Sequence, residues 1–232
     1  MKIGFKIASV TIALIGLTSC APSESDKIAD AQDCLDRSQP GDALACLEKV
    51  DGMVTPASDL IRCSAYFIDQ GFSDPSRLSQ VVEQLNGDSG GDTATIAILS
   101  FMAFSSSKYD LATNFRFSET AFGACERSKS KGLLYLSSMS RIATAAMNII
   151  PGYDPTTGVP PTETEIRNAI CTSPSSTTNI VIGTAAQTAY DQNCRGKDIS
   201  KDPICTQYAE AVAAGTTPEE VGAGLGAAIC NP

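Results

Sequence analysis

The chain has 232 residues, 43% of them hydrophobic, a formal net charge of −9, and neither histidine nor tryptophan. That apolar share excludes disorder over most of the length, and the acidic balance repels phosphate backbones, which argues against nucleic-acid binding. Without histidine, and with no CxxC pair, the usual structural zinc spacings are missing, and so is every histidine-based catalytic arrangement.

Residues 1–19 read as an export signal. Lys2 and Lys6 supply the positive start, and Ile7 to Gly16 an apolar core too short to span a bilayer. The stretch closes on Leu17-Thr18-Ser19-Cys20, which resembles the lipobox of bacterial lipoproteins. The resemblance implies cleavage before Cys20, acylation of that cysteine and attachment to membrane lipid. Ala21 behind it implies the outer membrane of a Gram-negative bacterium, with the protein facing the periplasm. Residues 20–25 form a tether of at most about 18 Å beyond the lipidated residue, so the folded body sits close to the membrane. With Lys2 and Lys6 removed, 15 bases remain against 26 acids, a net charge of −11, and attachment rests on the lipid.

Nine cysteines occur, and setting Cys20 aside leaves eight, an even number that reads as four disulfides formed in an oxidising compartment. No CxxC pair is present, so metal binding by thiolates is the weaker reading.

From Asp26 the pattern is helical, with Ile28, Ala31 and Leu35 at three- and four-residue steps and aspartates on the wet side. Ser38-Gln39-Pro40-Gly41 breaks it, and Asp42 to Val50 starts a second helix. Cys34 and Cys46 flank that turn symmetrically, so a staple Cys34–Cys46 is expected across the helical hairpin. Thr55-Pro56 restarts the chain, with Leu60, Ile61, Cys63, Ser64, Phe67 and Ile68 facing inward up to Gly71. Asp74-Pro75 opens a further helix reaching Leu85. These short helices with tight breaks resemble tetratricopeptide-like repeats over Asp26 to Leu85, and Gly41-Asp42-Ala43-Leu44-Ala45-Cys46-Leu47 is similar to the second helix of such a unit.

Gly87-Asp88-Ser89-Gly90-Gly91 matches the nucleophile signature of trypsin-like proteases, but the chain has no histidine base, and a flexible interhelical turn is the better reading. Asp92 opens a long apolar helix to Phe104. The SxxK spacing Ser105-Ser106-Ser107-Lys108 lacks the companion motifs of penicillin-recognising enzymes. Helices follow over Leu111–Ser128 and Leu133–Ile150, and Cys125 is the expected partner of Cys63.

Residues 151–161 hold Pro151, Gly152, Pro155, Gly158, Pro160 and Pro161, the composition of a long loop or linker. It divides a helical domain, 26–150, from a C-terminal helical subdomain, 162–232. There Thr162 and Glu165 form a capping box, Ile180 to Ile182 admit a strand but lead into an alanine-rich helical run, and Thr217-Pro218 caps the last helix. That cap places Gly222, Gly224 and Gly226 mid-helix, where close packing explains them better than a nucleotide loop. The favoured pairs here are Cys171–Cys194 and Cys205–Cys230.

The expected fold is all-α: a compact bundle or short irregular helix-pair array of about ten helices, stapled by disulfides. The expected function is that of a membrane-anchored lipoprotein acting as a non-enzymatic protein-interaction or structural component of the cell envelope, bound to an envelope protein partner, with no cofactor, no metal and no catalytic residue. The alternative is a periplasmic small-ligand carrier or a carboxylate-based enzyme, because Asp and Glu can act without histidine.

Overall fold

The computed structural model describes residues 22–75, 77, 100–172, 174–199 and 202–230. Among them are eight α-helices, two 3-10 segments, one π turn and no strand, so the fold is all-α. The first helix, α1 (Glu24–Asp36), opens on a reciprocal box in which the Ser23 hydroxyl accepts from Asp26 N and the Asp26 carboxylate accepts from Ser23 N. After the turn, where Gly41 takes a left-handed φ of 85°, the chain winds as a 3-10 helix (Ala43–Val50) and not as the expected α-helix. Asp42 does not cap it; its carboxylate is engaged by Lys108 Nζ at 3.1 Å instead.

α2 (Pro56–Asp69) begins at Thr55, whose hydroxyl accepts from Ser58 N, with Pro56 in the first turn. It buries Ile61, Cys63, Ala65 and Phe67, whereas Leu60, read from the sequence as inward, is exposed. Asp59 near its start is 4% exposed and accepts two hydrogen bonds from Arg127 and one from Arg62. Arg127 closes α3 (Leu111–Arg127), so this pair ties α2 to α3. α4 (Lys131–Asn148) lies on α3, and Arg141 grips Glu119 across that contact through Nε at 2.5 Å and Nη2 at 2.6 Å.

Past residues 151–161 come α5 (Glu163–Cys171), α6 (Ser176–Ala189) with a π turn (Tyr190–Cys194), α7 (Pro203–Ala214) and α8 (Pro218–Cys230). Thr162 and Glu165 form the expected capping box, and residues 180–182 are helical. The largest apolar cluster joins Met139, Ile142 and Met147 of α4 to Ile166, Ile182, Val221 and Leu225, so one core runs beneath the Pro/Gly loop. Smaller clusters pack Leu35, Val50 and Ile61 together, and Phe67, Phe104 and Ala121.

Four disulfides staple these elements. Cys34–Cys46 and Cys63–Cys125 are the pairs named from the sequence. In the C-terminal part the pairs are Cys171–Cys230 and Cys194–Cys205, in place of Cys171–Cys194 and Cys205–Cys230. The path of α8 explains the exchange. It packs along α6 and α5 so that its last residue reaches the end of α5, while the π turn after α6 meets the first turn of α7.

The helices expected from Asp74-Pro75 to Leu85 and from Asp92 onward lie mostly outside the described residues, although Pro75, Arg77 and Ser100 to Met102 are helical. Cys20 with the export signal, and the Gly87–Gly91 turn, also lie outside them.

Candidate functional site

The segment from Ala103 to Asp110 has no regular helix, yet Ala103 and Phe104 are fully buried. A buried irregular backbone must find partners for its polar groups, and side chains from two helices and from the end of a third supply them. Thr144 of α4 accepts from Phe104 N at 2.8 Å and donates to Ser140 O at 2.7 Å. Gln70, just past α2, accepts from Ser106 N at 3.1 Å and donates to Asn114 Oδ1 at 3.0 Å. Asn114 of α3 in turn donates to the carbonyls of Ser106 and Tyr109. Phe104 is held edge-on against Phe67, with ring centroids 5.3 Å apart.

This fixed segment forms part of a cleft of about 690 Å3, within the range of small-molecule sites. Pro40 and three longer stretches meet there, the latter contributing Gly71 and Arg77, Phe101 and Ser107, and, third, Tyr153 and Val159. The third belongs to the Pro/Gly loop, which is therefore a wall of the cleft as well as a connection. Gly152 and Gly158 carry φ of 74° and 69°, and the Asp154 carboxylate accepts from Thr156 N and its hydroxyl, which sets the loop's short 3-10 turn (Pro155–Thr157). Burial raises the pKa of Tyr153, the charge of Asp154 adds to that, and a hydrogen bond with Ser105 opposes it.

Arg77 dominates the electrostatics. Its Nε donates to Phe101 O at 3.2 Å, its Nη2 to Phe101 O at 2.6 Å and Ala103 O at 2.7 Å, and its Nη1 to Gln70 O. The guanidinium also lies 3.9 Å from the centroid of the Phe72 ring. No carboxylate among the described residues forms a salt bridge with it, and burial pushes its pKa down to about 10. The sequence held one hint of this. Arg77 follows Asp74-Pro75 in the first turn of a helix, where the macrodipole disfavours a cation.

Two of the motifs singled out in the sequence, the SxxK spacing and the glycines of the last helix, lie among the described residues. Lys108 Nζ donates to Gly41 O and Asp42, while Ser105 Oγ is directed to Ala103 O and Tyr153, so the SxxK residues do not form a nucleophile–base pair. The glycines of α8 serve helix contact. Gly222 abuts the Asn179 carbonyl of α6, and Gly224 faces Ala211 and Ala214 of α7. Among the described residues no group of three or more His, Cys, Asp or Glu could hold a metal, and no helix is long and apolar enough to cross a membrane. The described carboxylates with resolved pKa shifts, Asp26, Asp110, Glu165 and Glu220, are all held low by hydrogen bonds at helix starts. None of these is tuned upward as a general acid would be. The chain matches no family model, no curated protein and no solved structure.

Proposed function

We propose that the chain is a lipid-anchored, non-enzymatic component of the bacterial cell envelope that works by holding a partner protein on the periplasmic side of the outer membrane. The observation that carries the reading is the cysteine count. Eight of the nine cysteines pair within the folded body, which leaves Cys20, at the end of Leu17-Thr18-Ser19-Cys20, as the one cysteine outside that framework. A single thiol kept apart from four disulfides, and placed at a lipobox-like sequence, suits acylation.

The test is replacement of Cys20. The wild-type chain is expected to incorporate a fatty-acid label and to sediment with membranes, and Cys20→Ser to lose both. In-cell crosslinking then recovers an envelope protein with the wild type and not with Cys20→Ser. Membrane retention and labelling unchanged by Cys20→Ser would contradict the anchor, and a wild-type chain that crosslinks to nothing would contradict the partner.

A second reading, a small-ligand carrier, is favoured by one observation: the cleft of about 690 Å3 with a half-buried guanidinium in its wall. Saturable binding of a small molecule by a monomer without a protein partner would select it.

A further inference from the structure

A guanidinium has five N–H donors, and four of those of Arg77 are given to the carbonyls of Gln70, Phe101 and Ala103. The fifth, on Nη1, meets no acceptor among the described residues. It lies beside Gly71, which also lines the cleft, and even a Cβ built on that glycine would stop 3.9 Å from Nη1. Carbonyl dipoles orient the group but leave its full positive charge in a partly desolvated wall, where an anion is the natural complement. Phe101, Val159 and Pro160 make the rest of the lining partly apolar, and Ser107 adds a hydroxyl.

We infer that the cleft binds a carboxylate bearing an apolar body, the carboxylate beside Arg77 and the apolar part against Phe101, Val159 and Pro160. The carboxylate can come from a free organic acid or from the C-terminus of a partner polypeptide, since the chemistry at Arg77 is the same. The inference concerns the folded body and holds whether or not Cys20 is acylated, so its failure and that of the anchor are read separately.

The experiment is calorimetric titration of the full chain, purified in detergent, with phenylacetate and its amide, with the tripeptide Ala-Ala-Phe as acid and as amide, and with inorganic phosphate. At least one acid is expected to bind about tenfold or more tightly than its amide, with phosphate weaker than that acid. Arg77→Gln abolishes the preference for acid. Because Arg77 also ties three carbonyls, Val159→Glu is the second variant. Val159 is 67% exposed at the rim, so the fold tolerates the change; loss of its apolar contact weakens acid and amide alike, and the added charge weakens the acid further, so the acid-over-amide preference falls several-fold. Binding of the peptide acid alone identifies a protein C-terminus as the source, and binding of phenylacetate alone a free acid; either upholds the inference. Equal binding of acid and amide, no binding at millimolar concentrations, phosphate ahead of both acids, or indifference to Val159→Glu overturns it.

Discussion

Gly183 and Gly222 bring α6 and α8 into backbone contact: a Cβ on Gly183 would stand 1.7 Å from the Pro218 carbonyl oxygen, and one on Gly222 2.0 Å from that of Asn179. Neither neighbour is a side chain that could swing aside. Gly183→Ala or Gly222→Ala is therefore expected to force the helices apart and to cost about 3 kcal/mol or more, beyond any gain in helix propensity. Gly226→Ala, whose Cβ would meet nothing nearer than 3.8 Å, is expected to be neutral or stabilising. Chemical denaturation of the three variants checks the contrast, and equal midpoints would contradict it.

Tyr208 is 3% exposed, and its hydroxyl donates to the Met139 thioether at 2.6 Å, the one partner it has among the described residues. Sulfur of that kind is a weak acceptor, so Tyr208→Phe is expected to change stability by less than about 0.5 kcal/mol or to raise it. Thr144→Val is the contrasting case. It removes the acceptor of a buried backbone N–H, that of Phe104, and should cost about 1–3 kcal/mol. Thermal unfolding of the pair measures both.

The disulfides differ in the length of chain they close. Cys63 and Cys125 are 62 residues apart and Cys34 and Cys46 only 12. Loop-closure entropy then gives about 4 kcal/mol for the former and about 3 kcal/mol for the latter. The double replacement Cys63→Ala with Cys125→Ala is expected to lower the melting temperature more than Cys34→Ala with Cys46→Ala. The opposite order would mean that the unfolded chain is constrained elsewhere.

With no histidine, the folded body has no side chain that ordinarily titrates near neutrality. Hydrogen bonds at helix starts depress Asp26 and Asp110 below their ordinary 3.8, and Glu165 and Glu220 below 4.5. A depressed carboxylate contributes stability above its unfolded pKa and loses it as pH falls through the folded value. Burial raises Tyr66, Tyr135 and Tyr208 above 10.0, and their contribution is complete below that value and is lost as pH rises through the folded one. Stability is thus expected to be flat from about pH 5 to 9, with losses only outside that window. A melting-temperature series across pH measures it, and a step near neutrality would contradict the assignment.

What could be read in advance was local. Thr55-Pro56, Thr162 with Glu165, and Thr217-Pro218 announce helix starts because a cap is made by neighbours in the chain. Cys34 and Cys46 could be paired because a single turn folds one toward the other. The C-terminal pairs could not be read in this way, because they depend on where α8 lies. That path is set by Gly183 and Gly222, whose meeting is a tertiary fact. The cleft was hidden for the same reason: Arg77, Phe101 and Tyr153 come from three separate stretches, and the wall that unites them is an irregular segment with no periodicity to detect.

The C-terminal bridges are nested, Cys194–Cys205 enclosed within Cys171–Cys230. A polypeptide oxidised as it emerges from the ribosome or a translocation channel would offer Cys194 to Cys171 long before Cys230 exists to compete, and the first bond so made would be a wrong one. The final residues must therefore arrive before Cys171 is committed, or a thiol exchange catalyst must reopen the early bond. Replacing Cys230 would leave Cys171 to find another partner, so the pairing of the whole segment from Cys171 onward depends on a residue 59 positions downstream.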